Sequence, residues 1–366
     1  MAQLTEGEVL NALRPIVDPD FKRSIVDLGF VKGIAIEGGR VSFSIELTTP
    51  ACPVKEQFKQ AAEQAVGTLA GVEEVAVTMT ANTRGSRASS AGDQAEGLKD
   101  VRNIVAVASG KGGVGKSTIA ANLAVALRKS GAKVGLLDCD VYGPSVPLMM
   151  ATHGEPQVTP ERKIVPKEGH GLKLMSIGFL TGEGAPVIWR GPMVHGVVKQ
   201  FLSDVEWGDL DYLIVDMPPG TGDAALTLTQ IAPLSGAVIV TTPQEVALID
   251  ARKGLAMFQR VKVPVLGIVE NMSWFECSGC GKRHALFGSD GAARAAQELG
   301  VPLLGQVPVQ PDVVTAGDEG LPTVLSAPDS PAALALTELA GKVARGLSVL
   351  NAEPGPVLHE IAWSES

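Results

Sequence analysis

The chain is short of sulfur and of imidazole: its 366 residues include four cysteines and five histidines. Four thiols do not make a disulfide framework in a chain of this length, so a cytosolic thiol or metal role is expected for them. His153, His170, His195 and His359 form no ligand spacing. Hydrophobic residues make up 45%, yet no apolar run is long enough to span a bilayer. Positive charge is scarce as well. With 31 Lys and Arg against 40 Asp and Glu the formal net charge is −9, which argues against a nucleic-acid binder, since affinity there rests on neutralising phosphates. The opening segment, "MAQLTEGEVL", is polar and acidic and fits neither a secretory signal nor an Arg-rich transit peptide. A cytoplasmic protein with no nucleic-acid and no membrane partner is expected.

What is present falls into two bodies. Residues 81–99 are small, polar and rich in Gly and Ser, and read as a flexible linker. Before it, residues 1–80 read as a small α/β domain. A short helix over Val9–Ile16 precedes two strands that meet at Gly38–Gly39. A second helix carries Val54, Phe58, Ala61, Ala65 and Leu69 at helical spacing, and a last strand ends the domain. After the linker, residues 100–347 alternate apolar runs such as "NIVAVAS", "KVGLLD", "DYLIVDM" and "GAVIVTT" with helical stretches. Such runs suit central strands of a mostly parallel sheet with helices on both faces, the α/β class. Residues 348–366 are expected to be a loose tail.

Directly after the first of those runs comes "GKGGVGKST", Gly110 to Thr118. It satisfies G-x-x-x-x-G-K-[ST], the phosphate loop of nucleotide triphosphatases. Gly110, Gly112, Gly113 and Gly115, with Lys111 and Val114 between them, let backbone N–H groups turn toward phosphate oxygens, and a helix begun near Lys116 aims its positive end at them. Lys116 would sit on the β and γ phosphates, and Ser117 would ligate Mg²⁺. The same glycines also spell G-x-G-x-x-G, with Asp138 ending the next strand as a dinucleotide's ribose acid would. Two features decide for ATP. A Lys–Ser pair follows the third glycine, and a second acid, Asp216, closes the strand "YLIVD" as a magnesium-shell acid should.

The early lysine, Lys111, resembles the deviant Walker A signature of the ATPases that include nitrogenase iron protein and the septum-positioning and plasmid-partition proteins. The resemblance implies a homodimer in which Lys111 reaches the partner's nucleotide, supplying a cation where phosphoryl charge develops. It also implies Asp138 in the magnesium shell, Asp140 as the orienter of the attacking water, and "DMPPGTGD" (Asp216 to Asp223) as a switch whose Gly220 moves with the γ-phosphate. Asn271 in "VENMS" lies where related ATPases contact adenine; a buried turn asparagine is the alternative.

Two further cysteines, Cys277 and Cys280, form a C-x-x-C clip in "WFECSGCGKRH". Tetrathiolate sites for zinc or an iron–sulfur cluster want four ligands, and two clips supply four when two chains meet about a twofold axis. With His284 the clip also spells most of a single-chain zinc knuckle. In order along the chain, "KGGVGKST", "DCDVYGPSVP", "WRGPM", "DMPPGTGD", "ENMS" and the clip resemble the Mrp/ApbC family of iron–sulfur cluster carrier ATPases. That resemblance implies an ATP-hydrolysing homodimer that holds a [4Fe–4S] cluster, meets cluster assembly scaffolds and passes its cargo to apo iron–sulfur proteins. The alternatives are an ATPase that positions or partitions a cargo, with structural Zn²⁺ at the clip, and a scaffold that binds nucleotide without useful turnover.

"SIVDLGFV" and "TTPACP" resemble the MIP18-like (DUF59) domain found in iron–sulfur assembly factors. Cys52 precedes Pro53, a residue suited to the first helical position, which would put the thiol at a helix N-terminus as a candidate reactive thiol. Asp27 is either its polar neighbour or a turn acid. Cys139, between two acids at a strand end, reads as packing.

Overall fold

The structure is a computed structural model that describes residues 4–86, 95–181, 191–277 and 279–352. The chain divides into two compact units at Arg84 and Gly85, inside the expected linker. Residues 87–94 of that linker lie outside the described residues, as do Trp189 and Arg190 of "WRGPM" and 353–366 of the expected tail.

The first unit begins with α1 (Glu6–Leu13), closed at its start by a capping box between Thr5 and Glu8. Two short antiparallel strands, β1 (Val17–Asp18) and β2 (Arg23–Ser24), follow. The hairpin of β3 (Val31–Glu37) and β4 (Arg40–Leu47) comes next; α2 (Lys55–Gly67) then crosses over to β5 (Glu74–Ala81), which pairs parallel with β4. Alternation in β4 turns Val41, Phe43, Ile45 and Leu47 inward. They pack with Val9, Leu13, Phe58, Ala62 and Val66. The buried stripe of α2 is thus Phe58, Ala62 and Val66, with Ala61 and Ala65 half-buried at its edge. The sequence placed the stripe's centre one residue off, because alanines at neighbouring positions leave the helical phase undetermined.

The second unit opens with a 3-10 turn, Glu96–Leu98, whose Leu98 is buried, so the C-terminal end of the expected linker belongs to the packed domain. β6 (Val101–Ser109), α3 (Lys116–Lys129), β7 (Val134–Asp138) and α4 (Val146–Met149) come next. β8 (Lys167–Gly169), β9 (Leu172–Ser176), α5 (Gly178–Thr181), α6 (Gly191–Ser203) and β10 (Leu210–Asp216) follow, then α7 (Asp223–Ile231), β11 (Gly236–Thr241) and α8 (Glu245–Arg260). The last part holds β12 (Val265–Glu276), β13 (Arg283–His284), α9 (Gly291–Glu298), β14 (Leu303–Val309), α10 (Pro311–Asp318), α11 (Thr323–Ser326) and α12 (Pro331–Ala352). Among the described residues nine strands make one sheet in which β12, β11, β6, β10, β7 and β9 run parallel in that order, β14 pairs parallel with β12, and only the short β8 and β13 are antiparallel. The central strands are buried along their whole length, as their unbroken apolar runs require. Helix α12 continues to Ala352 and buries Leu347 and Ser348, so the packed domain extends past the expected tail boundary at 348. No helix among the described residues is long and apolar enough to cross a membrane.

Parallel strands bring all their carboxyl ends to one edge of the sheet, where ligands of open α/β folds bind. Gly110 after β6, Asp138 of β7, Asp216 of β10 and Asn271 in β12 belong to that edge.

Candidate functional site

The loop from Gly110 to Gly115 joins β6 to α3. Gly113 and Gly115 have φ of 78° and 82°, a left-handed backbone that other residues adopt only with strain. The loop is packed from behind and open in front. A Cβ at Gly110 would strike the backbone of Asp250, and one at Gly115 would strike the side-chain amide of Asn271, whereas Gly112 and Gly113 face open space. Helix α3 starts with no side-chain N-cap and no acid in its first turn. Its leading N–H groups are therefore left to an anion, and the dipole of a 14-residue helix favours one there.

Beneath the loop lies a buried charge cluster. β10 and β7 are in register with Asp216 beside Asp138, so two strand-end carboxyls stand side by side. Lys116, 6% exposed, donates to Asp216 Oδ1 at 2.7 Å and lies 3.4 Å from Asp140 Oδ2. Burial works against the Lys116 charge, but Asp216, then Asp140 and Asp138, outweigh it and hold the ammonium above its ordinary range. Burial pushes Asp216 up, with Lys116 pulling the other way. Burial, then the charge of Asp216, pushes Asp138 up to about 7. Three acids thus share one lysine.

The carboxylates differ in what they have left to offer. Asp138 Oδ1 accepts the Asp140 N–H at 3.0 Å, while Oδ2 accepts the Val146 N–H at 3.3 Å and the Ser176 hydroxyl at 2.9 Å. Asp216 Oδ2 is buried and has no hydrogen-bond partner among the described residues. Of the two acids expected around magnesium, Asp216 therefore holds the open oxygen, beside the Ser117 hydroxyl that lies 3.3 Å from Lys116 Nζ. Asp138 instead fastens the segment 139–146. Asp140 accepts the Tyr142 N–H at 3.2 Å, and Tyr142 itself is 74% exposed. Cys139 is buried, and burial followed by the charges of Asp138 and Asp216 pushes its thiol far above the ordinary range, consistent with packing.

Lys111 is half-buried, and its carbonyl accepts the Ser109 hydroxyl at 2.9 Å. No carboxylate lies within ion-pair distance of its ammonium among the described residues, in contrast to Lys116. Thr118, half-buried in the first turn of α3, accepts from Asn122 through its carbonyl. Gly220, φ 85°, donates its N–H to Ser109 at 2.8 Å, which ties the "DMPPGTGD" segment to the strand that enters the loop. Asn271 donates its amide to the Val114 carbonyl at 2.9 Å and is buried: its nitrogen braces the loop.

The clip sits at the tip of the hairpin between β12 and β13. Phe275 pairs with His284 and Glu276 with Arg283; then Cys277 N–H bonds to the Lys282 carbonyl at 3.0 Å, and Gly281 N–H returns to the Cys277 carbonyl at 2.8 Å. The Cys277 sulfur faces the amides of Gly279 and Cys280 and the Cys280 thiol, which hold it below its ordinary range. Cys277 is half-buried and Cys280 exposed. Among the described residues no three of His, Cys, Asp and Glu gather as metal ligands, so His284 is not brought into a set with the two thiols. Arg283 brackets the hairpin, bonding Glu276 at 3.0 Å and lying 5.0 Å over the Trp274 ring.

In the first unit the helix after Cys52 begins at Lys55, with Val54 as its cap. Pro53 is therefore not the first helical residue, and Cys52 stands two positions before the cap, half-buried against the unit's core. Asp27 pairs with Arg14 at 3.3 Å on the surface.

Two participants went unnoticed in the sequence. Ser176 ends β9 in no motif and reaches Asp138 only because β7 and β9 are neighbours in register. Glu270 is buried with both oxygens engaged, by Ala292 N–H at 2.8 Å and the Gln306 amide at 2.7 Å. Its one signal was an acid inside an apolar strand.

A family model described as NUBPL iron-transfer P-loop NTPase matches residues 100–344, and one described as iron-sulfur cluster assembly protein matches residues 6–78. An iron-sulfur cluster carrier protein of Synechocystis is 52% identical over 351 residues, which cover 94% of this chain and 99% of the relative. The protein of the same name from Deinococcus radiodurans is 44% identical, covering 93% and 95%. Among solved structures, a nucleotide-binding protein in complex with ADP from Archaeoglobus fulgidus is 43% identical with a TM-score of 0.56, covering 62% of this chain and 89% of that one.

Proposed function

The chain belongs to the NUBPL-type iron-transfer P-loop NTPases, and on that premise we propose that it binds and hydrolyses ATP and carries a [4Fe–4S] cluster, held between two copies of itself, to apo-proteins. The observation that carries the reading is the clip. It presents two thiols, one of them held toward thiolate by backbone amides, in the turn that follows the strand bracing the phosphate loop. Two thiols are half of a tetrathiolate site, and a second copy supplies the other half.

The residues fit magnesium nucleotide. Ser117 and the unpartnered Asp216 Oδ2 would hold Mg²⁺, which supplies charge neutralisation on the phosphates. The uncapped start of α3 receives phosphate oxygens, and Lys116 leaves its carboxylates for the β and γ phosphates. Lys111, half-buried and without a carboxylate within ion-pair distance among the described residues, is the cation offered to a partner's nucleotide. Asp140, within reach of Lys116 and at the head of an exposed segment, orients water for attack.

Anaerobic reconstitution with iron and sulfide tests the reading. The wild type is expected to bind four irons per dimer, as a [4Fe–4S] stoichiometry demands, and to transfer them to an apo-acceptor. The double variant Cys277→Ala, Cys280→Ala is expected to bind none. A cluster retained by that variant, or iron on a strictly monomeric protein, would refute it. Zinc held by one copy would favour the cargo-positioning ATPase instead.

A further inference from the structure

The phosphate loop and the clip share one strand. In β12, Asn271 bonds the Val114 carbonyl, and the next residue, Met272, brings its Cε to 3.9 Å from where a Cβ of Gly115 would stand. The first of these side chains bonds the loop, and the second ends beside Gly115. Cys277 follows directly after the end of the same strand.

Between those two points the strand is irregular. Its pairing with β14 passes from Asn271↔Val307 to Phe275↔Val309, so four steps on β12 match two on its neighbour. The excess is a bulge. Met272 has φ of 57° and is, among the described residues, the only non-glycine residue inside a strand with a left-handed backbone. Ser273 Oγ spans the bulge to the Glu270 carbonyl at 2.8 Å. Trp274 Nε1, at the far end of the bulge, is buried with no hydrogen-bond partner among the described residues. Past the bulge, antiparallel pairing with β13 begins at Phe275 and leads into the clip.

A bulge re-aims the strand beyond it, and an unfavourable backbone conformation persists only where its surroundings enforce it. Here the phosphate loop is part of the surroundings. We propose that the bulge Asn271–Trp274 is the link by which an occupied phosphate loop changes the accessibility of the clip thiols, with Met272 as its positioning residue. This rests on the loop being a nucleotide site and adds the route by which that site acts on the clip.

The test follows alkylation of Cys277 and Cys280 by iodoacetamide in the metal-free protein, read by mass spectrometry, with and without magnesium AMPPNP. Saturation is established for each variant by direct titration. In the wild type the nucleotide is expected to change the rate about fivefold or more, the lower end of coupling between linked sites. Met272→Gly removes the side chain that ends beside Gly115 and the left-handed penalty together, so the ratio of rates is expected to fall to near one. Met272→Leu keeps the bulk and retains the response. Ser273→Ala, which breaks the Oγ bridge alone, is expected to lower the ratio even if the glycine variant does not fold. A wild-type response in Met272→Gly or in Ser273→Ala, or wild-type thiols indifferent to saturating AMPPNP, would overturn the link. Absence of AMPPNP binding in the titration would overturn the nucleotide reading itself, a separate failure.

Discussion

The phosphate loop and the thiol clip are joined by one strand yet built on opposite terms. Around the loop the buried groups are held by one another: Lys116 by Asp216, Asp138 by three donors, Asn271 by Val114. The clip is a hairpin tip held by two paired residues and an arginine, with one thiol exposed. A site that must stabilise charge in a reaction gains from groups fixed in advance. A site that must accept and surrender a cargo gains from being easily opened, and few buried contacts make local opening cheap. The contrast separates what this fold keeps rigid from what it leaves free.

The sharpest way to break the contrast is Lys116→Ala. It leaves three buried acids without their cation, which is expected to lower unfolding free energy by about 3–5 kcal/mol, as loss of one partner of a buried pair does. Hydrolysis should be lost as well; denaturant unfolding and phosphate release measure the two effects. Gly115→Ala comes next. It forces a Cβ against the Asn271 amide at a φ of 82°, with an expected cost of about 1–3 kcal/mol and weakened nucleotide binding, read by thermal shift and titration.

A smaller effect should follow pH. Folding raises the Asp138 carboxyl from its ordinary value to about 7. A carboxyl raised in the folded state stabilises fully below its unfolded pKa, and that contribution is lost as pH rises toward 7. The nucleotide-free protein should therefore melt at a lower temperature at pH 8 than at pH 5, and Asp138→Asn should flatten this dependence. A slope unchanged in the variant would assign it to other groups. The smallest change is expected at the clip. Arg283→Ala removes a largely exposed contact over Trp274, worth about 0.5–1 kcal/mol, so global unfolding should scarcely move while amide exchange at the hairpin tip speeds up. If instead the whole unit were destabilised, the clip would not be the pliable region described.

The loop was legible in the sequence because its chemistry is local. Consecutive residues from Gly110 to Thr118 carry the cradle, the cation and the hydroxyl, and an unbroken apolar run before them marks the strand. The clip was legible for the same reason. The four apolar runs quoted from the second unit are all strands of its sheet, while the short antiparallel β8 and β13, of three and two residues, escaped notice because such pieces have no periodicity. The phase of α2 was one residue off where alanines stood on both sides of the stripe, and α12 ran past the expected domain end because Ser348, polar by type, is buried by its position.

By itself the sequence determined the chemical inventory: a phosphate loop with two lysines, strand-end acids, two thiols in a C-x-x-C pair and an acidic balance. Those follow from residue type and spacing along the chain. Only the tertiary structure decided which carboxylate oxygens are already engaged. Register sets Asp138 beside Asp216 and Ser176, and the hydrogen bonds that result leave the open oxygen on Asp216. It also decided that β12 both braces the loop and carries the clip through a bulge, since pairing between distant strands is not written in any short stretch of either.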